Sequence, residues 1–215
     1  METSVEPQSP VQRSYSPVWL LVTILAIATV TAFGPTERTL GENLRLVMLH
    51  GAWVWTGKIL FAAAAVSGLA GLLLPRSIWS NLTLALGRAG LLFWLTYLPM
   101  SLVVQMQNWG GIFWDEPRWR VPFTFGVVGL LLQLGLWVIN QPRVTNLANL
   151  IFGILLWWQL GGITNVLHPD SPIFGSNSTG IQVFFLVLLG LMVLAGAQIT
   201  LLLFRSLIRQ KMTAP

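Results

Sequence analysis

Cysteine is absent from this chain of 215 residues, and the absence removes several kinds of site at once. Without cysteine there is no disulfide, no thiolate metal site and no covalent attachment of a cofactor through a C-x-x-C-H motif. Histidine is almost as scarce, with two in the whole chain. Two histidines do not complete a closed four-coordinate zinc site, and the remaining ligands would have to be carboxylates.

Charge is the next scarcity. Charged residues make up 9% of the chain and hydrophobic residues 54%, whereas about 25% of an ordinary soluble domain is charged. This composition indicates an integral membrane protein in contact with the lipid bilayer. The basic residues stand singly beside apolar runs and form no cluster, so we find no nucleic-acid footprint.

Long apolar runs are what the chain has in abundance. They are continuous and do not alternate with period two, which favours helices over a membrane β-barrel. At about 20 residues per crossing, the length allows six spans and no sizeable soluble domain. The predicted fold class is therefore an all-α polytopic membrane protein with six transmembrane helices, near residues 18–33, 46–74, 84–105, 121–139, 147–167 and 181–204.

The remaining segments divide the chain around this membrane domain, which we place at 18–205. Residues 1–17 are polar and rich in proline and serine, which predicts a disordered tail. The first span resembles a signal peptide, but we expect it to be retained as an anchor. The three loops on the side away from the termini are predicted at 34–46, 106–121 and 168–180, and the C-terminal tail at 206–215.

The basic residues predict the orientation. With six spans, both termini share one side with the loops near residues 76 and 143. Seven basic residues fall on that side: Arg13, Arg76, Arg88, Arg143, Arg205, Arg209 and Lys211. Four fall on the other: Arg38, Arg45, Arg118 and Arg120. The positive-inside rule therefore predicts that both termini are cytoplasmic and that the three loops are external.

The stretch 108–120 (N-W-G-G-I-F-W-D-E-P-R-W-R) is the richest mixture of aromatic and charged residues in the chain. Its tryptophans are Trp109, Trp114 and Trp119. Tryptophan is enriched at membrane interfaces, so the stretch could be an interfacial collar. The same rings would also suit a stacking platform for a flat apolar ligand. The composition of the loop does not decide between the two interpretations.

The two histidines, His50 and His168, both fall on the predicted external side. Each could be an interfacial residue that caps a helix, or an axial ligand of haem iron through its neutral imidazole. In the second case Arg45, Arg118 and Arg120 could hold the anionic propionates of haem. Alternatively, these arginines form ion pairs with the acids of the same loops: Glu42, Asp115 and Glu116.

Lys58 lies about two turns further into the same span as His50. A lysine at this depth either extends its side chain towards the interface or meets a buried acid or cofactor group. We expect the first.

Three motifs, in order, resemble those of the CcmC family of haem-handling membrane proteins of bacterial cytochrome c maturation. R-L-V-M-L-H-G-A-W, starting at Arg45, resembles the segment around that family's first external histidine. N-W-G-G-I-F-W-D-E-P-R, starting at Asn108, resembles its tryptophan-rich signature. L-L-W-W-Q-L-G-G-I-T-N-V-L-H-P-D-S-P-I, starting at Leu155, resembles the segment leading to its second external histidine.

The resemblance covers nearly the whole chain and implies a haem-handling protein of the bacterial inner membrane, not an enzyme. It implies that His50 and His168 are the axial ligands of haem b on the external face. The loop from Trp109 to Asp115 would then hold haem for transfer to a periplasmic haem chaperone, among other membrane subunits of cytochrome c maturation. Two alternatives stay open: a haem-bearing subunit that passes electrons in a membrane complex, and a haem-free accessory subunit of such a complex.

Overall fold

The computed structural model describes residues 17–74, 76–164, 173–175 and 177–213, and these are folded almost entirely as helix. The predicted tail 1–17 lies outside the described residues except for Pro17. The helices, in chain order, are α1 Val18–Ala32, α2 Asn43–Leu73, α3 Ser77–Trp109, α4 Pro117–Ile139, α5 Pro142–Gly161 and α6 Thr179–Thr213. Five of them, α2 to α6, are long and apolar enough to cross a membrane, and α1 is a shorter apolar helix of 15 residues. The predicted all-α polytopic membrane fold is confirmed.

Most of the helices run further than the apolar runs alone predicted, but α5, predicted at 147–167, begins at Pro142 and ends earlier, at Gly161. α2 begins inside the predicted loop 34–46, and the predicted loop 106–121 keeps only residues 110–116 outside α3 and α4. α6 continues to Thr213, through most of the predicted tail 206–215. Hydropathy marks the part of a helix that lies in lipid, whereas hydrogen bonding and packing against neighbouring helices extend it into polar sequence. The third predicted loop, 168–180, is described only at residues 173–175 and from 177 onward.

α2 and α3 form the centre of the bundle and pack against each other along their length. Their contact includes Phe61 of α2 and Trp94 of α3, whose ring centroids are 5.9 Å apart. Phe61 also meets Phe152 of α5 at 4.8 Å, and the Trp94 Nε1–H donates to the Pro122 carbonyl oxygen of α4 at 2.9 Å. α6 packs on the other side of the pair, where Phe185, Leu188 and Met192 are buried.

Polar side chains join the helices at the end of the bundle that contains Arg143. The Asn146 Nδ2–H donates to Ser80 Oγ at 3.0 Å and joins α5 to α3. The Gln133 Nε2–H donates to Asn149 Oδ1 at 3.1 Å and joins α4 to α5. Asn146 and Ser80 both lie within five residues of the start of their helices, so α3 and α5 begin at nearly the same level.

The opposite end, which contains His50, is uneven because the helices differ in length. α4 and α5 have 23 and 20 residues, whereas α2, α3 and α6 have 31, 33 and 35. The Trp157 Nε1–H donates to the Lys58 carbonyl oxygen at 3.2 Å, which places these residues at one level. Only four residues of α5 follow Trp157, but fifteen residues of α2 precede Lys58. The difference, at about 1.5 Å per residue, leaves α2 projecting roughly 16 Å beyond α5.

Candidate functional site at the His50 end

His50 occupies the projecting part of α2, seven residues after its first residue, Asn43. Its imidazole ring packs against the ring of Tyr97 on α3, with centroids 5.8 Å apart and planes inclined at 58°. The side chain is half-buried and its Nε2 is shielded from solvent. Iron ligation through Nε2 therefore requires this nitrogen to become accessible.

Tyr97 is the residue of this region that the sequence did not reveal. Its side chain is 3% exposed and meets Trp94 edge-on at a centroid distance of 5.0 Å. In the part of the chain that the structure describes, its hydroxyl has no hydrogen-bond partner. The one available signal was its rarity, since the chain has two tyrosines among 24 aromatic residues (11 Trp, 11 Phe, 2 Tyr). Buried tyrosines ordinarily find a partner for the hydroxyl.

Arg45 ties the start of α2 to the preceding loop. Its Nε–H donates to the Gly34 carbonyl oxygen at 2.9 Å. In the same loop the backbone N–H groups of Leu40 and Thr39 donate to Glu37 Oε2 at 3.0 and 2.9 Å. These bonds, that of Leu40 first, hold the pKa of the Glu37 carboxyl below its usual range. The loop before His50 is therefore fixed by its own hydrogen bonds.

The tryptophan-rich loop is anchored from below by Gln105. α3 ends at Trp109, and Gly110 adopts a left-handed conformation with φ of 69° that turns the chain away. The Phe113 backbone N–H then donates to Oε1 of the buried Gln105 at 2.9 Å. Glycine suits position 110 because a side chain disfavours this conformation.

The three predicted platform tryptophans have different environments. Trp119 is 8% exposed and stacks on Phe123, with centroids 5.0 Å apart and planes inclined at 13°. Trp114 meets Trp119 edge-on at 5.0 Å and is 56% exposed, and Trp109 is 37% exposed. Trp109 and Trp114 present open ring surface, whereas Trp119 supports Trp114 from within the bundle.

The charges of the loop divide into two sets. Asp115 pairs with Arg120 at 3.6 Å, and both side chains are largely exposed. An exposed pair of this kind contributes little to stability, but it occupies the Asp115 carboxylate as the ion-pair interpretation predicted. The other two charged residues are Glu116, which is buried, and Arg118, which is half-buried.

Lys58 rests on two tryptophan rings. Its Nζ is 4.0 Å from the ring centroid of Trp55 and 4.4 Å from that of Trp157. Because Trp55 precedes Lys58 by three residues, the lysine side chain runs back towards the start of α2, the direction expected of a lysine that reaches for the interface.

His168 and Asp170 lie outside the described residues. Over the described ranges, no group of three or more histidine or acidic side chains is arranged to hold a metal ion. Of the two predicted iron ligands, the geometry therefore bears on His50 alone.

No family model matches the chain, and no curated protein matches its sequence. The likeness to CcmC therefore rests on the three sequence motifs.

Proposed function

We propose that this chain is a haem-binding membrane protein that holds haem b between His50 and His168 and presents it for cytochrome c maturation. The observation that carries the proposal is the position of His50, half-buried beside Tyr97 in the projecting part of α2. A flat apolar macrocycle suits an aromatic setting of this kind. The proposed location is the bacterial inner membrane, with the His50 end external.

The position of His50 along α2 favours presentation of haem at the surface over retention of haem inside the membrane. Lys58 and Trp157 share one level near the end of α5. His50 lies eight residues further out along α2, about 12 Å. It is therefore beyond the end of α5, which lies four residues after Trp157, where a periplasmic haem chaperone or another maturation subunit can approach. A haem that carries electrons between helices would need ligands deeper in the bundle.

Different residues of this chain would contact different parts of the haem. When bound, haem supplies an iron that accepts axial imidazole nitrogens. Trp109 and Trp114 offer exposed ring faces, and Arg45 and Arg118 offer positive charge for carboxylates. Because Nε2 of His50 is shielded from solvent, binding and release of haem are coupled to a local movement that exposes this nitrogen. The proposal requires no bond-making chemistry from this chain.

The direct test is the visible spectrum of the purified protein, oxidised and reduced, beside those of His50→Ala and His168→Ala. We expect a haem band in the parent protein and a weaker, shifted band in each variant. Gly135→Ala is the matched control, because a methyl group there meets nothing within 4 Å. An unchanged band in both histidine variants would contradict the ligand assignment.

A second candidate function is that of a haem-free accessory subunit of a membrane electron-transfer complex. The shielding of His50 Nε2 favours it, since a nitrogen that is shielded from solvent is not open to a ligand. In that case the parent protein would take up no haem even when haem is supplied in excess.

A further inference from the structure

Lys58 has an unusual setting for a cation in a membrane span. Its ammonium group lies over Trp55 and Trp157, and the Trp157 indole N–H is bonded to the lysine's own carbonyl oxygen. The two indole rings also meet each other, with centroids 6.0 Å apart. Two helices, α2 and α5, thus fix both the position of the ammonium group and the rings beside it.

This cluster lies at the level of the membrane interface. α5 has 20 residues, a length of about 30 Å that matches the hydrocarbon core of a bilayer. Trp157 stands four residues before its end. The ammonium group extends further towards that end, because the lysine side chain runs back along α2. It therefore reaches the layer in which phospholipid headgroups lie.

The cluster opens on the lipid-facing side of the bundle. Trp55 and Trp157 are 39% and 38% exposed, and the neighbouring Trp158 is 71% exposed. Ile154 and Leu155, one turn further into α5, are also exposed. An acyl chain can lie against this apolar surface while its headgroup reaches Lys58.

The local charge favours an anion. Throughout the described ranges, no carboxylate forms an ion pair with Lys58. The ammonium group of a lysine at a membrane interface forms its strongest hydrogen bonds with an anionic acceptor such as a phosphate. Interfacial tryptophan and lysine side chains are suited to contact with headgroups.

We propose that Lys58, with Trp55 and Trp157, binds the phosphate of a phospholipid in the leaflet at the His50 end. The lysine donates charge-assisted hydrogen bonds to the phosphate oxygens, and the tryptophans pack against the glycerol and upper acyl chain. The lipid holds α2 and α5 together where α2 begins to project. This site is separate from the proposed haem site and does not depend on it.

Native mass spectrometry of the purified full-length protein tests the proposal, with phosphatidylglycerol as the probe. Lys58→Met keeps most of the apolar stem and removes the charge, so phospholipid binding should weaken by roughly tenfold. Lys58→Arg should retain binding. Arg143→Met is the matched control, because it removes an exposed cation at the other end of the bundle, and it should bind as the parent does.

Four outcomes would overturn the proposal. The first is equal binding by Lys58→Met and the parent. The second is equal binding of diacylglycerol, which lacks the phosphate. The third is displacement of the phospholipid by inorganic phosphate, which would make this a site for soluble anions. The fourth is a lost haem band in Lys58→Met with unchanged lipid binding, which would assign the lysine to the haem site.

If Lys58→Met does not purify in a monodisperse form, Trp157→Phe carries the test. It removes the indole N–H that bonds the Lys58 carbonyl while keeping an aromatic ring. Phospholipid binding should again weaken by several-fold, and affinity equal to that of the parent would contradict the site.

Discussion

At the scale of single residues, the pairing of His50 with Tyr97 is the most informative contact. The sequence pointed to His50 because imidazole is chemically distinctive in an apolar chain. Tyr97 comes from a different helix, and only the packing of α2 on α3 brings the two rings to 5.8 Å. The tyrosine hydroxyl adds a buried polar atom next to the candidate ligand.

Tyr97→Phe tests that hydroxyl. In the described part of the chain it has no partner, and a buried hydroxyl without one costs about 1–3 kcal/mol. Removing it should leave the free energy of unfolding in detergent unchanged or raise it by about 1 kcal/mol. Tyr97→Ala, which opens a cavity, should instead lower it by about 3 kcal/mol or more.

Denaturation with a graded anionic detergent measures both variants. Clear destabilisation of Tyr97→Phe would show that the hydroxyl has a partner in the folded protein. The haem band of this variant, recorded in parallel, reports whether that partner belongs to the haem site.

At the scale of helices, small residues allow α2 to approach α5 closely. A Cβ at position 68 would lie 2.5 Å from the Asn146 carbonyl oxygen, and one at position 153 would lie 2.8 Å from the Phe61 carbonyl oxygen. Close backbone approach through small residues is how membrane helices gain packing energy in the absence of a hydrophobic driving force. The hydrogen bond from the Trp157 indole N–H to the Lys58 carbonyl oxygen depends on the same close approach.

Gly68→Ala should therefore force α2 and α5 apart. The obstructing atom belongs to the backbone, so we expect a cost of about 1–3 kcal/mol in the free energy of unfolding. Gly135→Ala is the matched control in α4, where a methyl group meets nothing within 4 Å; a glycine-to-alanine change in an open helix position gains up to about 1 kcal/mol. In detergent denaturation, Gly68→Ala should lower the free energy of unfolding and Gly135→Ala should raise it or leave it unchanged. Equal changes in the two variants would contradict the close approach of α2 to α5.

At the scale of the whole molecule, unequal helix lengths produce the candidate site. α3 and α5 begin together at the Arg143 end, so the additional residues of the long helices emerge at the His50 end. The tryptophan-rich loop, the projecting part of α2 and the start of α6 then surround one region. The described part of the bundle thus provides a surface beyond the end of α5, its shortest long helix.

Cysteine labelling tests this projection, and the natural absence of cysteine makes single substitutions unambiguous. Met106 of α3 and Leu131 of α4 are both exposed apolar residues, 52% and 63%. Met106→Cys should react with a membrane-impermeant maleimide in intact bilayers, because it stands beyond the end of α4. Leu131→Cys should not react, because it faces lipid.

The same chemistry tests the predicted orientation. In intact cells, Met106→Cys should be labelled from outside, and Gln141→Cys, between α4 and α5, only after the membrane is opened. The reverse pattern would contradict the positive-inside assignment, and labelling of Leu131→Cys would contradict the level of α4.

The sequence by itself determined the membrane class, the helical architecture and most of the helix positions. Lipid leaves the backbone no hydrogen-bond partner outside the chain, so a long apolar run has essentially one structure available to it. It also singled out His50, Arg45, Lys58 and the tryptophan loop, because scarce polar residues are conspicuous in apolar sequence.

Only the tertiary structure decided how these residues differ from one another. It buried Trp119 while leaving Trp114 open, paired Asp115 with Arg120, and placed Lys58 between two indole rings from different helices. It also added Tyr97, and it set the level of His50 through the register of α2 against α5. These contacts depend on how the helices pack, and they join residues that are far apart in the chain. The periodicity and composition of a sequence carry no information about how one helix is aligned along another.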